Sequence, residues 1–207
     1  MKSGWLEMKD TFIALLRGVN VGGAHSVLTK DLVRLLESMG LSNVKTYIQS
    51  GNAVFQVHPT KAAGLCEKIK TRIQRDHGFA PEVILLRLAE LKRAIAANPY
   101  PGADSDPKAL HLTFLASTAG PPDWAALECL RKESEQYALK GRVLYFYAPE
   151  GVGKSKLFSR LEQLLGVPVT ARNWRTACKI LELAQELDAA ERGQTARSKY
   201  EGTSKTR

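Results

Sequence analysis

Two kinds of hydrophobic spacing alternate along this chain, and the alternation runs through the same order twice. The apolar run at 12–16 (FIALL) reads as a strand buried on both faces. Leu28, Leu32, Leu35, Leu36 and Met39 then recur at helical spacing, with Thr29 expected as N-cap and Gly40 as the stop. Val44, Thr46 and Ile48 alternate with polar neighbours, as along a half-buried strand. Residues 50–52 (SGN) are turn chemistry, and 53–57 form the returning strand of a hairpin. Ala62, Leu65, Cys66, Ile69 and Ile73 make a second amphipathic helix, and 83–86 a further buried strand. The order is βαββαβ.

The second half repeats it. Leu88, Leu91 and Ile95 form a short connecting helix, and 98–108, rich in Pro, Gly and Asp, reads as a linker. Leu110, Leu112 and Phe114 alternate along a strand, with His111 expected at solvent or on the sheet surface. Trp124, Leu127 and Leu130 fit a helix, and 137–147 fit a hairpin turning at Lys140 and Gly141. Leu157, Phe158, Leu161, Leu164 and Leu165 pattern a strong helix that Gly166 stops, and 167–170 is strand-like. A last helix carries Trp174, Ala177, Cys178, Leu181, Ala184 and Leu187 on one face, with Asn173 placed to cap it. The expected fold is therefore α+β, with two ferredoxin-like (βαββαβ) subdomains in tandem plus a C-terminal helix. The subdomains span 8–97 and 109–190, and 193–207 is expected as a disordered basic tail.

Composition narrows the class. The 207 residues are 44% hydrophobic and 25% charged, which is globular rather than disordered. No apolar run approaches the roughly 20 residues that span a bilayer, and 1–10 lacks the features of a signal peptide. Cys66, Cys129 and Cys178 are scattered, with no disulfide framework or CxxC pair, so a reducing cytoplasm is the expected compartment. The net charge of +9 is spread over the chain, with Arg197, Lys199, Lys205 and Arg207 in the tail against Glu201. Such a surface attracts phosphate-rich partners without specifying one, and no RNP aromatics or finger spacing accompany it.

The topology groups the loops. In a 4-1-3-2 antiparallel sheet the first strand-to-helix loop and the hairpin tip lie at one end, so 17–23 (RGVNVGG) should sit near 49–52 (QSGN). Arg17 and Asn20 could then grip a carboxylate or phosphate, with Gln49, Ser50 and Asn52 completing the site. The plainer reading is that Asn20 and the glycines satisfy left-handed backbone positions and that 49–52 is a hairpin tip alone. Arg172 and Arg175 flank Trp174 and are the remaining candidates for ligand contact. At 150–155 (EGVGKS), Gly153, Lys154 and Ser155 open a helix after a strand and form a secondary candidate anion site. A true P-loop would need Gly at position 148, where Ala148 stands, and no Mg²⁺-binding Asp follows a later buried strand. His25, His58, His77 and His111 lack metal-ligand spacing, no GxSxG elbow is present and no carboxylates pair, so no metal, cofactor or catalytic residue is assigned.

Three segments carry a family resemblance: 11–23 (TFIALLRGVNVGG), 45–55 (KTYIQSGNAVF) and 170–176 (TARNWRT), with 150–157 (EGVGKSKL) fitting a second-half motif. The chain resembles the domain of unknown function 1697 family over roughly 8–187. The resemblance implies an α+β protein of two ferredoxin-like subdomains, carries no established activity, and points to Met8 as the natural start. The leading functional expectation is a cytoplasmic protein that binds an anionic, phosphate-bearing small molecule or nucleic acid at loops between the subdomains. A metal-independent hydrolase or transferase acting on a phosphorylated small molecule is one alternative. A protein-interaction module is the other. Oligomeric state is not legible.

Overall fold

A computed structural model of the chain describes residues 9–20, 25–102 and 104–203, with side chains described as far as 193. The first unit runs β1 (Asp10–Leu16), α1 (Thr29–Ser38), β2 (Ser42–Thr46), β3 (Asn52–Val57), α2 (Leu65–His77) and β4 (Val83–Arg87). Helix α3 (Leu88–Ala96) leads to the second: β5 (Leu110–Leu115), α4 (Trp124–Leu130), β6 (Gln136–Lys140), β7 (Val143–Tyr147), α5 (Lys156–Leu165) and β8 (Val169–Asn173). Helix α6 spans Trp174–Thr203. The strands form two four-stranded antiparallel sheets, ordered β2-β3-β1-β4 and β6-β7-β5-β8.

Each sheet is covered on both faces, and strand alternation sorts the side chains between them. In β1, Phe12, Ala14 and Leu16 pack outward with Leu32, Leu36, Ile69 and Ile73 of α1 and α2. Ile13 and Leu15 face the other way. They join Leu110, Leu112, Phe114 and Tyr145 of the second sheet through Leu91 of α3 and Trp174, Ala177, Ile180 and Ala184 of α6. The outer face of the second sheet packs Leu144 and Phe146 against Leu127 of α4 and Leu157, Leu161 and Leu165 of α5. The layers therefore run helices, sheet, helices, sheet, helices. The central layer of α3 and α6 is a core that both units share.

Several local expectations are corrected. Thr29 is the first residue of α1 rather than its cap; Leu28 occupies the cap position without a side-chain hydrogen bond and is 50% exposed. Ile48 lies beyond β2, 53% exposed, with a left-handed backbone at φ 49°. The last strand runs to Asn173, so Arg172 belongs to β8 rather than to a loop. The α6 backbone is helical through Thr203, into the stretch expected as a disordered tail. Its Ala, Glu, Gln, Arg and Lys residues are good helix formers that extend a helix already nucleated on the core. The side chains of that tail, the loop glycines Gly22 and Gly23, and the segment preceding Met8 lie outside the described residues.

Other expectations hold in detail. Asn173 Oδ1 accepts the Thr176 N–H at 2.9 Å, and Trp174 is buried with Nε1 donating to Asp104 Oδ1 at 2.6 Å. The hairpin tip meets the end of β1, as the topology requires: Leu16 N–H donates to the Gly51 carbonyl at 2.8 Å. That approach demands glycine. At Gly51 φ is +71°, and a Cβ would stand 2.8 Å from Leu16 Cβ. Gly51→Ala should therefore cost about 2–4 kcal/mol from left-handed strain plus overpacking. Urea unfolding measures this; an unshifted midpoint would mean the tip is not seated on β1.

Candidate functional site

Arg172 is the centre of the region where the two units meet. It leaves the outer strand β8 and reaches the ends of β1 and the β2–β3 hairpin. Its Nε donates to Asn52 Oδ1. One terminal nitrogen donates to Thr170 Oγ1 at 2.9 Å and to the Ala171 carbonyl at 2.8 Å. The other donates to the carbonyls of Leu16 at 2.8 Å, Ser50 at 3.1 Å and Gly51 at 3.3 Å. The side chain is 8% exposed and has no carboxylate partner among the described residues. Burial lowers its pKa to about 10, so it remains a cation at neutral pH.

Beside it a cleft of about 530 Å³ opens between the units. One side is the β1–α1 loop and hairpin region, with Arg17, Gly18, Val19, Ile48 and Ser50. The other is α5 and β8, with Phe158, Ser159, Glu162, Thr170 and Arg172. His111 and Thr113 of β5 and Thr176 in the first turn of α6 also line it. At the mouth Arg17 donates to Glu162, which also accepts the Val169 N–H at 3.3 Å. The Arg17–Glu162 pair is exposed on both sides and contributes little to stability, so it can open at small cost.

Of the sequence candidates, Arg17, Asn20, Gln49, Ser50, Asn52 and Arg172 gather at this junction. Their duties differ. Asn20 spends its amide on the loop, donating to the carbonyls of Val27 at 2.9 Å and Gln49 at 2.6 Å and accepting the Val27 N–H at 2.9 Å. Asn52 donates to the Tyr47 carbonyl at 3.0 Å and to Ser50 Oγ at 2.9 Å. These amides and the Arg172 fork hold the loops together, while Arg17 and Ser50 line the opening. Arg175 is exposed on α6 outside the cleft lining. Gly153, Lys154 and Ser155 also lie outside it. Gly153 and Lys154 sit in a 3₁₀ turn, and Ser155 Oγ caps α5 by accepting the Phe158 N–H at 3.0 Å.

His111 and Thr113 were not among those candidates. Both lie on the β5 face opposite Leu110, Leu112 and Phe114, and α5 covers them. Thr113 is 1% exposed, and its Oγ1 has no hydrogen-bond partner; His111 Nδ1 also lacks one. The His111 ring meets Phe158 edge-on at 5.5 Å. Desolvation lowers its pKa below the ordinary 6.5, an effect the Ala109 backbone partly opposes. A signal for them does exist in the sequence. The helix patterned at 157–165 must cover this sheet face, so polar residues alternating along β5 would fall beneath it. Among the described residues no group of three or more His, Cys, Asp or Glu is placed to hold a metal.

Two outcomes test this geometry. Arg172→Met strands buried acceptors from both units and should cost at least about 3 kcal/mol, each stranded acceptor being worth about 1–3 kcal/mol. Arg172→Lys should recover only part of that, because an ammonium lacks the planar fork; full recovery by lysine in urea unfolding would show that charge alone matters. At His111 the folded imidazole binds its proton more weakly than the unfolded one. Stability present above pH 6.5 is therefore lost as pH falls through the folded-state value. His111→Asn should flatten the melting-temperature profile between that pH and the onset of carboxylate titration; a profile unchanged from wild type would contradict the burial of the ring.

The comparisons agree with this architecture. A conserved bacterial protein from Streptococcus pneumoniae of known structure matches with 25% sequence identity and a TM-score of 0.61, over 85% of this chain and 99% of that one. No curated protein matches. The family model described as protein of unknown function (DUF1697) matches residues 8–145. The match covers more than half of the chain, so the chain belongs to the DUF1697 family.

Proposed function

We propose that the inter-unit cleft binds a small molecule carrying an anionic, phosphate-like group. The observation that carries this reading is the Arg172 cation, buried beside the cleft with no carboxylate among the described residues to neutralise it. Its N–H groups are already used by the protein, so its influence on a ligand is the field of an uncompensated charge in a poorly solvated place. The start of α6, with Thr176 in the lining, adds the positive end of a helix dipole. Arg17 at the mouth supplies free donors once it leaves Glu162. The cleft volume suits a small ligand rather than a polymer, so nucleic acid is the weaker form of the reading.

In the same reading each βαββαβ unit is ferredoxin-like, and the strand orders β2-β3-β1-β4 and β6-β7-β5-β8 support it. The protein works in the cytoplasm, which accords with three free cysteines. No helix among the described residues is long and apolar enough to cross a membrane.

A thermal-shift panel of inorganic phosphate, sugar phosphates, nucleotides and short oligonucleotides tests the proposal. A phosphorylated small molecule should raise the melting temperature, by the equivalent of about 2.7 kcal/mol at 100 times its dissociation constant. Ser159 is exposed on α5 and lines the cleft, so Ser159→Asp places a negative charge there without disturbing the core. It should weaken binding at least about tenfold by repulsion. A panel with no response, or binding indifferent to that charge, would sink the proposal.

A further inference from the structure

We infer that His111 and Thr113 read an uncharged, planar, hydrogen-bonding group on the ligand, so that the cleft takes a phosphorylated heterocycle of nucleoside monophosphate type rather than a bare phosphate or sugar phosphate. The inference rests on the anion-binding reading above and adds what the other end of the ligand must be.

Two unmet polar atoms carry it. Thr113 and His111, two residues apart, both line the cleft, and Thr113 Oγ1 and His111 Nδ1 are each buried without a hydrogen-bond partner, although the Ala109 backbone also acts on the His111 ring. A buried hydroxyl without a partner is a net cost to folding, so folding alone would favour valine at position 113. The two residues stand on one face of β5, about 6.7 Å apart along the strand. A neutral imidazole offers one donor and one acceptor, and a hydroxyl offers both. Neither carries a charge that would demand an ionic partner. They suit the edge of a heterocycle, which mixes donors and acceptors.

The walls fit a flat ring. Phe158 comes from the second unit and Ile48 from the first, and both line the cleft. Ile48 is held at φ 49°, a position that a β-branched residue rarely adopts, and its side chain is 53% exposed. An exposed apolar side chain and a phenyl ring, one from each unit, give a planar group apolar surface, while Arg172 and Arg17 answer the phosphate.

Titration calorimetry of the full chain with inorganic phosphate, ribose 5-phosphate and the four common nucleoside monophosphates decides the matter. At least one nucleotide should bind roughly tenfold tighter than ribose 5-phosphate, the sum of two modest hydrogen bonds and stacking. Thr113→Val should remove roughly three- to tenfold of that preference and leave ribose 5-phosphate unchanged. The same variant without ligand should melt at or above the wild-type temperature, because the lost hydroxyl bonds nothing. If sugar phosphate and nucleotide bind equally, or if Thr113→Val affects both alike, the inference falls while the anion site stands. If Thr113→Val melts lower, the hydroxyl is structural and the inference falls with it. If no probe binds, both readings fall together.

Discussion

One buried cation ties the two halves of this protein together. The Arg172 guanidinium sits on the last strand of the second sheet and is hydrogen-bonded to carbonyls at the end of β1 and in the β2–β3 hairpin. Taking that charge out of water is expensive, and no carboxylate among the described residues offsets it. What offsets it is geometry: a planar fork met by carbonyls, an amide and a hydroxyl, each already oriented by a strand or a turn. The acceptors on the first unit exist as a group only because Gly51 lets the hairpin tip close on Leu16. A backbone conformation available to glycine in the first unit thus creates the seat for a side chain from the second. The apolar layer around α3 and α6 holds the sheets face to face, but such contacts are not directional. The Arg172 bonds fix how they are aligned.

The same arrangement decides where a cleft can exist. β8 lies at the edge of its sheet, and an edge strand exposes unpaired backbone groups. Here side chains answer some of them: Arg172 bonds the Ala171 carbonyl and Glu162 accepts the Val169 N–H. The edge is blunted without being covered. The space between it and the first unit's loops stays open, walled by secondary structure on one side and by a hydrogen-bonded turn on the other. A site built this way is rigid at its base and adjustable at its mouth, where the Arg17–Glu162 pair is exposed.

Period and punctuation made the order of elements and the grouping of the loops legible in the sequence. The continuous apolar run of β1, alternation in β5, helical spacing in α1, α2 and α5, and glycine stops were enough to order the elements. Antiparallel topology alone puts Arg17 and Asn20 beside the hairpin tip. What failed was burial of individual residues at element ends. Leu28 and Ile48 continue an apolar pattern but fall outside their elements, because periodicity does not mark where a helix or strand stops. Arg172 looked available because a guanidinium usually ends in water; its burial depends on six bonds to acceptors, four of them 120 or more residues away in sequence. His111 read as a solvent or sheet-surface position, and Thr113 drew no notice, because alternation within one strand cannot say that α5 covers the second face.

The distribution of unmet polar atoms separates structure from function here. Three buried side-chain atoms among the described residues have no hydrogen-bond partner: Glu135 Oε1, His111 Nδ1 and Thr113 Oγ1. Glu135 has a local explanation. Its other oxygen accepts the Lys132 N–H at 3.1 Å and closes the turn between α4 and β6, so one oxygen is spent and its sibling is carried along. No such bond explains Thr113, whose single hydroxyl does nothing for the fold and could be replaced at a gain. It shares a strand face and a cleft with His111, and that cleft lies against an uncompensated cation. A fold that satisfies Arg172 so fully has the means to satisfy a threonine. Leaving it unmet where charge, volume and apolar walls converge is what the proposed ligand would answer.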